Sequence, residues 1–213
     1  MFHKILILVL IGLLIGLAGC AKTYVQGYIK PDLNVSDVKS IAMLPFDNIS
    51  GYQDAGKKVE NLLLTELVRT EMFKIAEMGE VEKSLRNLRI RTTSEIDLDK
   101  LQKLGKQLNV QAVIMGSVDE YELRQERNET VPVVSITARM LDVQTGDIIW
   151  AISHTHDGND RETVFGFGKI ISLSRLAQIV ISEMVENLTH GLLPTNANLK
   201  TKNKENKTTG LPN

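Results

Sequence analysis

Four consecutive apolar residues, Ile41-Ala42-Met43-Leu44, stand directly before Pro45. A strand with one wet face alternates apolar and polar side chains. A run without polar interruption therefore predicts a strand covered on both faces. Proline cannot donate a ladder hydrogen bond, so this strand ends, or reaches a sheet edge, at Pro45. Covering both faces needs helices, and the following sequence supplies their patterns. Asp54 is placed to cap a helix running to about Thr70, with Val59, Leu62, Leu63 and Leu67 on one face. "MFKIAEM" reads as a short strand and "EVEKSLRNLR" as a second helix. A third helix starts at Ser94 or Asp97, with Leu98, Leu101, Leu104 and Leu108 three, three and four residues apart.

The stretch Val110 to Arg124 is apolar at first and alternates later, the pattern of a strand that leaves a covered core and continues with one face wet. The polar "QERNET" turns it back into "VPVVSITARMLDV", and "QTGD" (Gln144 to Asp147) is a compact hairpin signal leading into "IIWAISHTHD". A looser glycine-containing stretch precedes a final helix over about Ser172 to Thr189. Leu173, Leu176, Ala177, Val180, Met184 and Leu188 share one side of it. The fold class expected is α/β (α+β), a single domain in which helices pack on a mixed β-sheet.

Ahead of this pattern, every residue from Ile5 to Ala18 is apolar or glycine, preceded by Lys4. Fourteen residues fit the core of a secretory signal, which is about 7 to 15 long, better than a spanning helix, which needs about 20. The run ends in Leu17-Ala18-Gly19-Cys20, and Cys20 is the only cysteine, so it makes no internal disulfide. This string resembles the lipobox of bacterial lipoproteins. The resemblance implies cleavage before Cys20, acylation of its thiol, and a membrane-lipid anchor at Cys20. The alternative is an ordinary signal, or a short uncleaved anchor, with a chance cysteine. Ala21 follows where an aspartate would resemble an inner-membrane retention signal, which favours the outer membrane.

The division expected is a signal peptide over 1–19, a lipid-anchored linker with one short strand over 20–37, a folded domain over 38–193, and a disordered polar tail over 194–213. The tail from Thr195 carries four lysines, one glutamate and almost no apolar residues, too little to repay its ordering entropy. The whole chain has 25 basic and 26 acidic residues; removing 1–19 takes one lysine, leaving 24 and 26, a net charge of −2. That balance gives no reason to expect nucleic acid as a partner.

The candidates for chemistry are few. His154 and His156 lie two apart on a predicted strand and share a face, with Asp157 adjacent, a trio that could ligate zinc. A site needs a further ligand, and His190 lies at a distant helix end. Trp150 and Ile152 share the histidines' face, so packed positions are expected, and no metal site. "GFGKIIS" (Gly166 to Ser172) lacks the third glycine of a dinucleotide loop and the Gly-Lys-Ser/Thr ending of a phosphate loop, and reads as a flexible hairpin or hinge. There is no G-x-S-x-G elbow, and the only thiol is assigned to lipid. No catalytic residue and no cofactor site are expected, and the chain does not read as an enzyme.

Three segments in order, "VKSIAMLPFDNIS", "LGKQLNVQAVIMGSVDEY" and "ITARMLDVQTGDIIW", resemble blocks of the curli production assembly/transport CsgG family. They are also similar to its relatives, the TolB amino-terminal domain and the LpoB-type lipoproteins. The resemblance covers about Val38 to Leu188. It implies an anticodon-binding-domain-like α/β fold in a periplasm-facing lipoprotein of the outer membrane. Protein partners in the envelope and a possible homo-oligomer are implied with it. Three functions follow from it: a binding module assisting assembly or transport of an envelope or secreted component, a ring-forming secretion-channel subunit, and an activator of a cell-wall synthase. Channel-forming relatives insert long amphipathic hairpins into the bilayer. The two candidate excursions here, Asp119 to Thr137 and Asp157 to Leu173, read as too short and too polar for a barrel wall. Cys20→Ala is expected to leave the precursor uncleaved and to abolish labelling by a radioactive or alkyne fatty acid; labelling that survives the substitution refutes the anchor.

Overall fold

The computed structural model describes residues 26–31, 38–163 and 167–192. Its strands are β1 (Gln26–Ile29), β2 (Ser40–Met43), β3 (Asp47–Asn48), β4 (Lys74–Ile75), β5 (Ala112–Glu126), β6 (Glu129–Asp142) and β7 (Ile148–Asp157). Its helices are α1 (Ala55–Arg69), α2 (Met78–Asn87), α3 (Leu98–Leu108) and α4 (Leu173–Leu192). The strands form one mixed sheet in the order β1-β7-β6-β5-β2-β4, with β3 added beside β5. β2 runs parallel to β4 and β5, whereas β5, β6, β7 and β1 are antiparallel in succession.

β2 is covered on both sides, as its unbroken apolar run predicts. Ile41 and Met43 enter a large core under α1 and α4, while Ala42 and Leu44 enter a smaller one under α2 and α3. β5 divides in the same way: Ala112 and Ile114 face the large core, Val113 and Met115 the small one. The small core ends there, and the corresponding face of β6 and β7 carries Ser135, Thr137, Ser153 and Thr155. They are joined by a Ser135–Thr155 hydroxyl pair at 2.7 Å and by the Thr137 hydroxyl donating to Asp119 Oδ2 at 2.7 Å. A sheet with one dry and one wet face gives alternation, and a sheet dry on both gives runs.

The change in β5 is accompanied by a bulge. The register steps from Val118↔Ile136 to Glu120↔Ser135, leaving Asp119 as the extra residue. Val118 and Tyr121, three apart, consequently both face the large core, which an uninterrupted strand would not permit.

Helix starts follow their caps unevenly. Asp97 accepts a hydrogen bond from Lys100 N at 2.8 Å and starts α3, while Ser94 lies in a separate 3₁₀ turn over Thr93–Glu95. Asp54 precedes α1 as expected but sits at φ 60° and makes no side-chain cap. The "QERNET" reversal closes as a two-residue loop with Arg127 at φ 49°, and Gly146 takes φ 76° in the "QTGD" turn. The short strand expected within 20–37 is β1. It pairs with β7 and so belongs to the sheet rather than to a free linker, held there by close packing on α4. Gly27 leaves no room for a Cβ beside Asn187, nor does Gly191 beside Ile29. The expected signal peptide, the region around Cys20 and the polar tail lie outside the described residues.

Gly116 lies where β5 crosses beneath Phe46. A Cβ there would meet the Thr137 carbonyl and come within 2.6 Å of the Phe46 ring. Because a backbone carbonyl cannot rotate aside, Gly116→Val is expected to lower stability by about 1–3 kcal/mol or more, read as a fall in the urea midpoint.

Candidate functional site

The inner face of β7 changes character along its length. Trp150, Ile152, His154 and His156 all point toward α4, since residues two apart on a strand share a face, and all four are buried. α4 answers with two polar residues set in its otherwise apolar stripe. Asn187 Oδ1 accepts from Trp150 Nε1 at 3.1 Å, and one helical turn earlier Glu183 meets both imidazoles. The four-residue spacing on the helix thus matches the strand positions, and Trp150 Nε1 and both imidazole Nε2 atoms meet acceptors on α4.

Glu183 Oε2 lies 2.6 Å from His154 Nε2 and 2.8 Å from His156 Nε2. The two rings stand edge to face, with centroids 4.9 Å apart. His156 Nδ1 in turn lies 2.6 Å from Asp160 Oδ2, which also accepts from Asp157 N at 3.0 Å. Arg161 donates to the other Glu183 oxygen, Oε1. Both histidines are 1% exposed, and the Glu183 side chain keeps 21% of its surface.

Burial pushes His154 below the ordinary imidazole value, against its hydrogen bond to Glu183, which favours the charged form. Partial burial alone would raise the Glu183 carboxyl, but the hydrogen bond with His154 and the charge and hydrogen bond of His156 outweigh it and hold it below the usual carboxylate value. An ionised carboxylate only accepts, so His154 donates from Nε2. Its Nδ1 is buried and has no hydrogen-bond partner among the described residues.

The structure brings together the two histidines that the sequence placed on one face, and with them Trp150 and Ile152. It does not bring in Asp157, whose Oδ1 accepts from Asn159 N at 2.7 Å, nor His190, which is exposed beside Glu186. The residues missed are Glu183 and Asp160. Glu183 had a signal: it is the one acid three residues after Val180 and one before Met184, at the margin of the apolar stripe of α4. Asp160 had none, because its approach depends on the turn after β7.

A second feature is the β5–β6 hairpin. β3 pairs with β5 only as far as Val118, and β7 pairs with β6 only as far as Val133↔Asp157. Past Val118 the outer edge of β5 carries Glu120, Glu122 and Arg124, with Arg124 pairing both glutamates, and from Leu123↔Pro132 onward β5 and β6 continue as a two-stranded arm. Four residues of β5, Leu123 to Glu126, extend this arm roughly 13 Å at strand rise. The stretch read as a flexible hairpin or hinge runs beside it: Ile170 N donates to Gly158 O at 2.8 Å, Thr163 N to Phe167 O at 2.7 Å, and Lys169 pairs with Glu129 near the arm's tip. Gly166 lies outside the described residues. No described helix is long and apolar enough to cross a membrane.

Comparison with known proteins places this fold. The chain is similar to PelC from Paraburkholderia phytofirmans, solved as a dodecamer, with 20% identity over 78% of this chain and 97% of that one and a TM-score of 0.53. It is similar also to lipoprotein GNA1162 from Neisseria meningitidis, with 19% identity, 71% and 99% coverage and a TM-score of 0.52. The LpoB C-terminal domain from Salmonella enterica aligns with 16% identity over 59% of this chain and 86% of that one, at a TM-score of 0.43. No curated protein matches the chain. The profile of the curli production assembly/transport component CsgG matches residues 30–193, which take in β2 through α4. The chain belongs to the CsgG family.

Proposed function

We propose that this protein is an outer-membrane lipoprotein, anchored through acylated Cys20 and facing the periplasm. Its domain assists assembly or transport of an envelope or secreted component by binding other proteins, without catalysis. The observation that carries this reading is the family match over 30–193, a family described as an assembly and transport component. The arm formed by β5 and β6 suits such work. Its β5 edge beyond Val118 has no strand neighbour among the described residues, and main-chain groups on a free edge can receive a partner's strand. The charged side chains of Glu120, Glu122 and Arg124 guard the same edge against indiscriminate pairing.

The second reading, a ring-forming subunit, is favoured by the dodecameric state in which PelC, a protein of similar fold, was solved. Both readings rest on protein contacts and differ in the partner, another protein or further copies of this chain. The first expectation is that mild crosslinking of intact envelopes, followed by purification of the lipidated chain, returns a specific protein partner. Crosslinks to neither another protein nor a further copy would reject both readings. Light scattering of the detergent-extracted chain, corrected for bound detergent, separates them: a closed assembly of many copies supports the ring, and a monomer or dimer supports the tethered adaptor.

A further inference from the structure

We propose that His154, His156 and Glu183 form a site for a zinc-type divalent cation, held by the two imidazole Nε2 atoms and one carboxylate oxygen, with solvent completing the shell. One ligand atom from each residue lies within 4.8 Å of the others. Both Nε2 atoms already converge on the same oxygen, Glu183 Oε2, at 2.6 and 2.8 Å. A tetrahedral ion with bonds of about 2.0–2.2 Å needs its donors about 3.3 Å apart. Admitting the ion therefore requires these contacts to open by roughly 0.5–0.7 Å, a movement within the reach of a glutamate side chain.

The surroundings of His156 are those of a metal-bound histidine. His156 lies between two carboxylates, with Asp160 on Nδ1 and Glu183 on Nε2. Ionised carboxylates donate nothing, so a ring in this position carries either two protons and a buried positive charge, or a cation in place of the Nε2 proton. The Nδ1–H to Asp160 contact is the outer hydrogen bond that sets the tautomer and raises the basicity of a ligating imidazole. His154 would bind through Nε2 with its proton on Nδ1, which is buried and has no acceptor among the described residues, so His156 is the better supported of the two ligands. Arg161 occupies Glu183 Oε1, which leaves Oε2 for the ion. Asp160 and Glu183 set two negative charges against the ion and the Arg161 guanidinium. Two imidazoles with one carboxylate suit Zn²⁺, Ni²⁺ or Cu²⁺; Mg²⁺ and Ca²⁺ take oxygen donors. The ligands come from β7 and α4, and Asp160 from the turn between them, so the ion pins the final helix to the sheet at the base of the arm.

The test uses the full chain, purified without a histidine tag, stripped with a chelator and titrated calorimetrically with Zn²⁺. The expected result is one Zn²⁺ per chain, a raised Tm, no competition from Mg²⁺, and the intense visible absorption of four-coordinate Co²⁺ when cobalt is substituted. Glu183→Gln should weaken Zn²⁺ binding at least about a hundredfold, and Asp160→Asn about 10–100-fold. Urea midpoints without metal establish that both variants are folded. Stoichiometry well below one, weak six-coordinate Co²⁺ absorption in the unmodified chain, or unchanged affinity in folded Glu183→Gln would overturn the proposal.

Discussion

Most of the structure depends on β5 being dry on both faces between β2 and β6, and dry on one face from there to Tyr121. Its first half pairs with β2, then β3, and with β6 throughout, so it joins the parallel and antiparallel halves of the sheet. Ala112 and Ile114 on one side and Val113 and Met115 on the other tie both helical layers to a single backbone. Burial of this kind is worth about 25 cal/mol per Å² of apolar surface, and β5 contributes to two cores at once. The bulge at Asp119 lets the same strand leave the two-sided region without turning Tyr121 away from the large core. Phe46, after Pro45, then packs over Gly116, where β5 has no side chain to obstruct it.

Much of this was legible because burial leaves a periodic trace. The run Ile41 to Leu44 announced a doubly covered strand, and the leucines of α3 announced a helix with one dry face. Leu101 and Leu104 are buried, whereas Leu98, at the first turn, is 47% exposed. Local chemistry was legible too, as in the Asp97 cap and the Gly146 turn. The bulge was not, because a single inserted residue in "SVDEY" looks like ordinary alternation until the pairing partner is known. Nor was the place of β1 in the sheet, which is fixed by β7 and α4, more than a hundred positions away, although a short strand was expected there.

The polar cluster shows the same division. Period two put His154 and His156 side by side, a property of one strand alone. What they face is a property of the packing of α4 on β7, and sequence spacing is silent on it. Once the helix is placed, its four-residue repeat sets Asn187 against Trp150 and Glu183 against the imidazoles, so the buried N–H groups of this face of β7 are met by acceptors rather than by water.

The position of β1 has a further consequence under the lipid-anchor proposal. Cys20 and Gln26, the first residue of the outermost strand, are six residues apart, and a fully extended chain spans at most about 3.6 Å per residue. The leash is then no longer than about 22 Å, less than the length of α4, which at 1.5 Å per residue is about 30 Å. A body held so close to a surface cannot tumble freely. It works within a restricted range of tilts and heights, and its reach into the periplasm is set by its own dimensions rather than by the tether.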